Sequence, residues 1–520
     1  MAMELIKEDI ECEQLLGENF SDTVVKSEYV IPDTHPDVYE ILMLDAKPVI
    51  TSKEVMQDKI YLEGQVEYNV LYLAKEEEGI QVHNAVYTGK FTNYIELNGA
   101  EHKMECEAEC YIEHMECNIV NERKISIEGI IKLKSSLYKN YQFQVVKDIE
   151  GEQDIQMLKN PASIDKIAGI VDADLIAKCH IQIPNEKPEI ENIIKHDISI
   201  HKKEVRVLDG KIRINAWALI GILYKGKNTR DLIYIENDVP LEKEVDADNV
   251  TSLMDNFTDF RVDADEINVG EDDLGESRII DVESLIKANV KVMNKEDMDI
   301  IEDVYTPTML TNMDKKDYVL NVMHGHRFTD TIIKGDIEIQ GNMPRAAQII
   351  MANGQICVTD KKIVEGKVIV EGILRTDVLY KSVDEENYIC TVKEEIPFNC
   401  SVDMPGSKID MQCITKAYLE SIEASIEANN ISIKAIAQIY TRVNYITHKE
   451  FIVDISQAEG EVPQKKSSIT IYVVQHSDTL WKIAKKYNTT TNVLTTVNNI
   501  ENPDAIKPGE KLIIPGRAII

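Results

Sequence analysis

The chain has 520 residues, 57 of them basic and 91 acidic, and its formal net charge is −34. A surface this acidic repels phosphate backbones and anionic lipid headgroups, which excludes nucleic acid as a favoured partner and disfavours insertion into a membrane. At typical domain sizes of about 100–200 residues, the length predicts three or four domains.

The composition also indicates the compartment. The nine cysteines are odd in number and form no C-x-x-C motif, which is typical of reduced thiols. The first residues lack the apolar segment of a signal peptide, and no run of about 18 apolar residues occurs. We therefore expect a protein that stays in the cytosol.

Most of the chain consists of one unit present three times. Residues 32–72 align without a gap with residues 184–224, and a third copy follows. A repeat this long indicates tandem domains and not a solenoid of short repeats. Three sets of residues anchor the alignment: Pro36, Pro188 and Pro344; Lys59, Lys211 and Lys367; Tyr72, Tyr224 and Tyr380.

Each anchoring lysine begins a stretch in which apolar and polar residues alternate. From Ile60 to Tyr72 every second residue is apolar or glycine, and the other two copies repeat the pattern. This alternation predicts a half-buried antiparallel strand. Gly64, Ala216 and Gly372 share one position in it, and a small residue there suggests a bend or a close crossing.

A second pair of alternating strands follows in each copy. Residues 105–120 and 124–133 form it in the first copy, and residues 414–428 and 430–440 in the third. In the second copy we expect an acidic loop at 255–276 to interrupt it. These patterns predict mostly β domains, each a sandwich of antiparallel sheets, at 1–160 with an N-terminal extension, 161–312 and 313–465.

The first copy opens with Ile31-Pro32-Asp33-x-x-Pro36, and its alternating strand begins at Lys59. These two features resemble the SPOCS-type domain family of spore coat and exosporium proteins. The second copy has Asn185 in place of the aspartate, and the third keeps little of the opening besides Pro344. The resemblance implies a fold shared by all three copies.

Several segments resemble catalytic or metal-binding motifs. Residues 221–228 approach a phosphate-binding loop, but Asn228 replaces the hydroxyl residue and no helix follows, so we predict a hairpin turn. Residues 263–268 begin like a calcium-binding loop but lack its later ligand and glycine, so we predict a solvated loop, with a docking surface for a basic partner as the alternative.

Two clusters suggest zinc ligands. Cys106, Cys110 and His114 share one face of the predicted strand while Cys117 points away, so we expect buried thiols and no metal. His324 and His326 lack a third ligand, and we expect them in a loop. The sequence thus predicts no cofactor, no metal and no enzyme.

The last segment differs from the repeats and predicts a small βααβ module at 466–520. We expect a strand at 471–474, a helix capped by Asp478 that buries Leu480, and a second helix at about 491–497 that buries Val493, Leu494 and Val497. Asn502-Pro503 breaks the chain before a last strand at 511–514.

This segment is identified as a member of the LysM family by three motifs, D-T-L-W-K-I-A, V-N-N-I-x-N-P-D-x-I and K-P-G-x-K-L-I-I-P. LysM domains bind polymers of N-acetylglucosamine in a groove between two loops. The family usually has glycine where this chain has Ser477. The expected groove, with Trp481 partly exposed, consists of Ser477, Asp478, Thr479, Leu480, Trp481, Asn502, Pro503, Asp504, Ala505 and Ile506.

Three SPOCS-type repeats followed by LysM resemble the SipL-like family of spore coat morphogenetic proteins. That resemblance implies a non-enzymatic scaffold in the mother cell cytosol at the forespore surface. It also implies that the LysM domain binds the SpoIVA-like ATPase of the coat basement layer, with other coat proteins as further partners. The alternatives are a protein that binds or senses peptidoglycan through the same groove and, less favoured, a LysM-targeted wall hydrolase.

Overall fold

Three six-stranded units and a small C-terminal module make up the fold. A computed structural model describes residues 4–77, 79–151, 154–341, 343–385, 387–460, 462, 467–503 and 506–516. The first unit consists of β1 (Glu4–Val30), β2 (Glu40–Met56), β3 (Lys59–Glu76), β4 (Gly79–Glu96), β5 (Glu105–Asn121) and β6 (Lys124–Glu150).

The other two units repeat this order. The second consists of β7 (Gln156–Gln182), β8 (Ile190–Leu208), β9 (Lys211–Gly226), β10 (Leu232–Asp246), β11 (Asp255–Glu271) and β12 (Ser277–Tyr305). The third consists of β13 (Thr311–Glu338), β14 (Ala346–Val364), β15 (Lys367–Ser382), β16 (Ile389–Asp403), β17 (Gln412–Glu427) and β18 (Asn430–Gln457). The first strand of each unit pairs with the last strand of the same unit.

Every unit is a pair of three-stranded antiparallel sheets. In the first unit the orders are β1-β6-β5 and β2-β3-β4, and the other units have the same two orders. The apolar faces of the two sheets form one core per unit. This arrangement confirms the predicted antiparallel sandwich.

The strand that follows each anchoring lysine is the centre of its sheet. Its alternate residues, from Ile60 to Tyr72 in the first unit, are almost fully buried. Gly64 lies opposite Phe91, and a Cβ on Gly64 would be 2.1 Å from the Phe91 ring. Gly372 faces Phe398 in the same way. The small residue therefore marks a close crossing, as predicted.

In the first two units the opening motif is held by an arginine next to the first residue of the last strand. Arg123 donates hydrogen bonds to the carbonyl oxygens of Ile31, Pro32 and His35. Arg278 does the same for Pro184 and Lys187 in the second unit. Asn429 precedes β18 in the third unit, where most of the opening motif is missing.

Two loop predictions are wrong. Residues 255–271 form β11, paired with β12 along its length, so the acidic segment does not interrupt the sheet. His324 and His326 lie in β13, at an irregularity between Met323 and Gly325. The turn at 227–231 between β9 and β10 is a hairpin, as predicted.

The thiol cluster differs from prediction in one respect. A register shift in β5 between Ile112 and His114 turns Cys117 back toward the core and leaves the side chain of His114 62% exposed. A bulge of this kind inverts the alternation beyond it. Burial raises the pKa of Cys110 to about 12 and that of Cys117 to about 11, which keeps both as thiols.

The units are arranged around a pseudo-threefold axis. Equivalent leucines of the three units, Leu71, Leu223 and Leu379, are fully buried in one shared apolar cluster. Beyond the sandwiches, the first and last strand of each unit continue as a two-stranded ribbon, and the three ribbons share a second cluster. Equivalent members of that cluster are Cys12, Ile164 and Leu320, and Val145, Ile300 and Phe451.

Ion pairs join each unit to both neighbours. Lys47 pairs with Asp197 between the first and second units, and Lys381 with Asp231 between the second and third. Lys361 pairs with Glu18 between the third and first units, which closes the ring. The ring and the ribbon bundle together make the three units one packed body.

Candidate functional site: the C-terminal module

The C-terminal module consists of β19 (Ile469–Val473), α1 (Leu480–Lys486), α2 (Thr491–Asn498) and β20 (Lys511–Pro515). The two strands pair antiparallel, and Leu480, Ile483, Leu494 and Leu512 are buried between them and the helices. This is the predicted βααβ order. The prediction for α2 is wrong in part, because Val493 and Val497 are 38% and 41% exposed and only Leu494 is buried.

The loop from 475 to 479 is built around Asp478. Its carboxylate accepts hydrogen bonds from the Gln475 backbone N–H and the Tyr472 hydroxyl, both at 2.8 Å. These two donors, the backbone N–H first, hold the pKa of Asp478 below its usual range. The helix cap is Thr479, whose hydroxyl accepts from the Lys482 N–H at 3.2 Å, so the predicted capping role of Asp478 is wrong.

Ser477 has the backbone conformation that favours glycine. Its φ is 67°, in the left-handed region, and its side chain is exposed. A residue with a Cβ is strained there. A glycine would therefore fit this position without strain.

The second predicted loop lies between α2 and β20. Asn502 and Pro503 are exposed, and Ile506 is half-buried against the module core. Asp504 and Ala505 lie outside the described residues. Leu480 and Ile506 belong to the same apolar cluster, which joins the two loops beneath the surface.

Two predicted groove residues have other roles. Leu480 is 3% exposed and belongs to the core of the module. Trp481 is half-buried, and its indole N–H donates a hydrogen bond of 2.8 Å to Asp303 near the end of β12. The exposed positions among the predicted groove residues are Ser477, Thr479, Asn502 and Pro503, whereas Asp478 is half-buried and its carboxylate is engaged within its own loop.

Contacts that the sequence did not reveal fix the module to the ribbons. Lys485 forms a 2.6 Å ion pair with Asp303, and the buried Tyr305 hydroxyl donates to the Thr489 carbonyl oxygen at 2.9 Å. The Tyr305 ring packs edge-on against Trp481, with the ring centres 4.9 Å apart. One face of α1 is thus occupied by the second unit, while the two loops stay exposed.

The described parts of the chain contain no cluster of three or more His, Cys, Asp or Glu side chains that could hold a metal. Among the described helices, none is long and apolar enough to cross a membrane.

Comparison with known proteins assigns both kinds of domain. A family model described as SipL, SPOCS domain, matches residues 37–120, 189–269 and 345–427, and the LysM domain model matches residues 472–515. The fold and the site define a tandem-repeat β protein with a C-terminal binding module. The chain carries three SPOCS domains followed by one LysM domain.

Two relatives share short segments with the chain. It is 51% identical over 45 residues to the cortical fragment-lytic enzyme of Bacillus subtilis (strain 168), which is 9% of this chain and 10% of that protein. It is 46% identical over 50 residues to the spore coat assembly protein ExsA of Bacillus cereus, 9% of this chain and 8% of that protein. The chain spans about a tenth of each relative's length. No solved structure matches it.

Proposed function

We propose that this protein is a non-enzymatic scaffold for assembly of the spore coat in the mother cell cytosol, and that its LysM domain docks a SpoIVA-like ATPase of the coat basement layer at the forespore surface. The observation that carries the proposal is the way in which the LysM domain is attached to the second SPOCS domain. Asp303 and Tyr305 hold one side of it, and the loops around Ser477 and Asn502 remain exposed. A domain attached in this way keeps its two loops in a fixed position on the protein surface, where a partner can reach them.

The rest of the chain suits a scaffold. The three SPOCS domains share two apolar clusters and an ion pair at every interface, so they form a preorganised body. Preorganised surfaces bind with less loss of entropy, and several docking surfaces in one chain raise the effective concentration of each further contact. A named relative, a spore coat assembly protein, is consistent with this role.

The test uses the full-length chain and an immobilised SpoIVA-like ATPase. Leu480 and Trp481 are unsuitable targets, because they belong to the module core and its attachment. Ser477→Arg and Pro503→Arg instead alter exposed loop positions, and Thr496→Arg alters an exposed position on α2 as the matched control. We expect each loop variant to weaken ATPase binding by about tenfold or more, the control to bind normally, and soluble chitin oligomers to have no effect.

A second candidate function is binding of peptidoglycan through the same loops. The left-handed backbone at Ser477 supports it, because that conformation favours glycine, the residue that LysM domains usually have at this position. If the wild-type chain binds peptidoglycan but not the ATPase, and both loop variants lose that binding, the second candidate replaces the first.

A further inference from the structure

One exposed apolar residue recurs at the same position in all three SPOCS domains. Val24, Ile176 and Ile332 lie at equivalent positions of β1, β7 and β13, on the outer face of each sheet. They are 75%, 59% and 60% exposed, respectively. A single exposed valine needs no explanation, but the same exposure three times in one acidic chain does.

Each of these residues has an apolar partner on the neighbouring strand. Val24 lies opposite Ile130, Ile176 opposite Leu285, and Ile332 opposite Ile436. The partners are half-buried, so each outer sheet face carries a two-residue apolar spot. We call each spot, with its flanking charges, an outer patch.

The charges around the spot also recur. Two residues before the apolar residue stands an aspartate and two residues after it a lysine, and residues spaced by two share a face of a strand. The pairs are Asp22 and Lys26, Asp174 and Lys178, and Asp330 and Lys334, all exposed.

Across the strand pair, the first two patches also have the same charges. Lys132 and Glu128 lie opposite Asp22 and Lys26, and Lys287 and Glu283 lie opposite Asp174 and Lys178. Lys26 pairs with Glu128 at 2.6 Å, and Lys178 with Glu283 at 2.8 Å. In each of these two patches the four charges on the two paired strands, two acidic and two basic, cancel one another.

This arrangement is complementary to itself. When two such faces meet with their strands antiparallel and their apolar spots in contact, Asp22 of one copy lies over Lys26 of the other, and the reverse. A twofold interface requires such self-complementarity, because a residue i of one copy contacts residue j of the other copy while residue j of the first contacts residue i of the second. A basic partner would not need the lysines, and an acidic partner would not need the aspartates.

We propose that the three outer patches are homotypic contacts through which this chain binds further copies of itself. The pseudo-threefold arrangement relates the patches by rotation, so they face three directions. Each patch is small and its single contact is weak, but a trivalent node whose contacts act together builds an extended layer. The inference does not depend on what the LysM loops bind.

The first experiment is sedimentation velocity of the full-length chain over a wide range of concentration. We expect assemblies larger than a dimer that grow with concentration. Val24, Ile176 and Ile332 are replaced by lysine singly, in pairs and all together, which should lower the number of contacts that each copy can make. A single replacement should limit growth to linear chains, a double replacement should leave dimers, and the triple replacement should leave a monomer. Val30→Lys, at an exposed position further along β1, is the matched control and should assemble like the wild type.

A mixing experiment tests the self-complementary charges. One variant carries Asp22→Lys, Asp174→Lys and Asp330→Lys, and a second carries Lys26→Asp, Lys178→Asp and Lys334→Asp. Each alone should have a dissociation constant at least about tenfold weaker than the wild type, because like charges then face each other. An equimolar mixture should assemble again, because lysines of one variant meet aspartates of the other.

Circular dichroism and thermal melting establish that each variant is folded before it is scored. A wild-type chain that is monomeric at every concentration would overturn the inference. So would assembly that survives the triple lysine variant, or charge variants that assemble alone as well as they do together.

Discussion

The indole N–H of Trp481 donates a 2.8 Å hydrogen bond to the carboxylate of Asp303, and this contact joins the LysM domain to the ribbon of the second SPOCS domain. The same carboxylate pairs with Lys485 at 2.6 Å. One acidic side chain therefore serves two donors from one helix. Hydrogen bonds to a charged group are each worth about 1.5–3 kcal/mol, so Asp303 is the main polar attachment of the domain.

We expect Asp303→Ala to loosen the LysM domain without unfolding the SPOCS domains. The chain has two tryptophans, so in a Trp217→Phe background the fluorescence reports on Trp481 alone. Loss of the Asp303 contact should expose the indole and shift its emission to longer wavelength. Asp299→Ala, at an exposed position of the same strand, should leave the spectrum unchanged. An unshifted spectrum in Asp303→Ala would mean that Tyr305 packing alone holds the domain.

The close crossing at Gly64 gives a second prediction. Opposite residues are glycine and phenylalanine in the first and third SPOCS domains, but Ala216 and Leu241 in the second. Gly64→Ala should lower the free energy of unfolding by about 1–3 kcal/mol, because its Cβ meets the Phe91 ring and the Val49 carbonyl oxygen.

Adding Phe91→Leu to Gly64→Ala reproduces the pair of the second domain and should recover part of that loss, measured by denaturant unfolding. Recovery should be incomplete, because the Val49 oxygen would still lie 2.6 Å from the new Cβ. Phe91→Leu alone should be destabilising, as it leaves space above the glycine. If the double variant is no more stable than Gly64→Ala alone, contact with the ring does not account for the loss.

Much of each domain could be predicted because its signals are local. The repeated proline and tyrosine are in direct contact: the hydroxyls of Tyr72, Tyr224 and Tyr380 donate to the carbonyl oxygens of Pro36, Pro188 and Pro344 at 3.2, 3.3 and 3.0 Å. The alternation of apolar and polar residues likewise predicted the central strand of each sheet, because a strand with one buried face has a hydrophobic period of two residues.

The parts that the sequence did not predict depend on contacts between distant segments. The irregularity at Glu113 has no signal in the alternation before it, so Cys117 was placed on the wrong face. Strand β11 has mostly exposed residues and many acids, and only its pairing with β12 makes it a strand. The ribbon ends of the first and last strands pack against the ribbons of the other two units, so the sequence of one repeat alone does not predict them. For the same reason Trp481 looked available, because its partner Asp303 is 178 residues away.

Lys416 gives a prediction about pH. Its ammonium lies 3.1 Å from Glu109, 3.7 Å from Asp259 and 3.9 Å from Glu107, so it joins all three domains. Burial opposes its charge, but the three carboxylates outweigh burial and raise the pKa of Lys416. Burial would raise the pKa of Glu109, yet Lys416 and Lys134 outweigh it and hold that pKa below its ordinary value.

A carboxyl group with a lowered pKa in the folded state stabilises the fold above its unfolded pKa of about 4.3, and this stabilisation is lost as the pH falls through the folded value. Lys416→Met should therefore reduce the free energy of unfolding by about 1 kcal/mol at neutral pH, a modest loss since solvent reaches the carboxylates. The difference from wild type should shrink as the pH falls below about 4.3. Denaturant titrations at several pH values measure this. Lys434→Met, which removes an exposed pair with Glu423 at 3.8 Å, should show little difference at any pH. A deficit that stays constant with pH would indicate lost packing and not lost charge pairing.

Ser477 supplies the last prediction, because its left-handed backbone is strained for a residue with a Cβ. Ser477→Gly removes that strain and should stabilise the LysM domain by about 0.5–1 kcal/mol, although glycine gains some freedom in the unfolded chain. Ser477→Ala keeps the strain and removes only the hydroxyl, so it is the matched control and should not stabilise. Thermal unfolding followed through Trp481 emission in the Trp217→Phe background measures both.

The pair of variants also separates two explanations of any change in partner binding. If Ser477→Gly and Ser477→Ala weaken ATPase docking equally, the hydroxyl makes the contact. If only the glycine variant gains affinity for chitin oligomers, the missing Cβ lets a sugar approach the backbone.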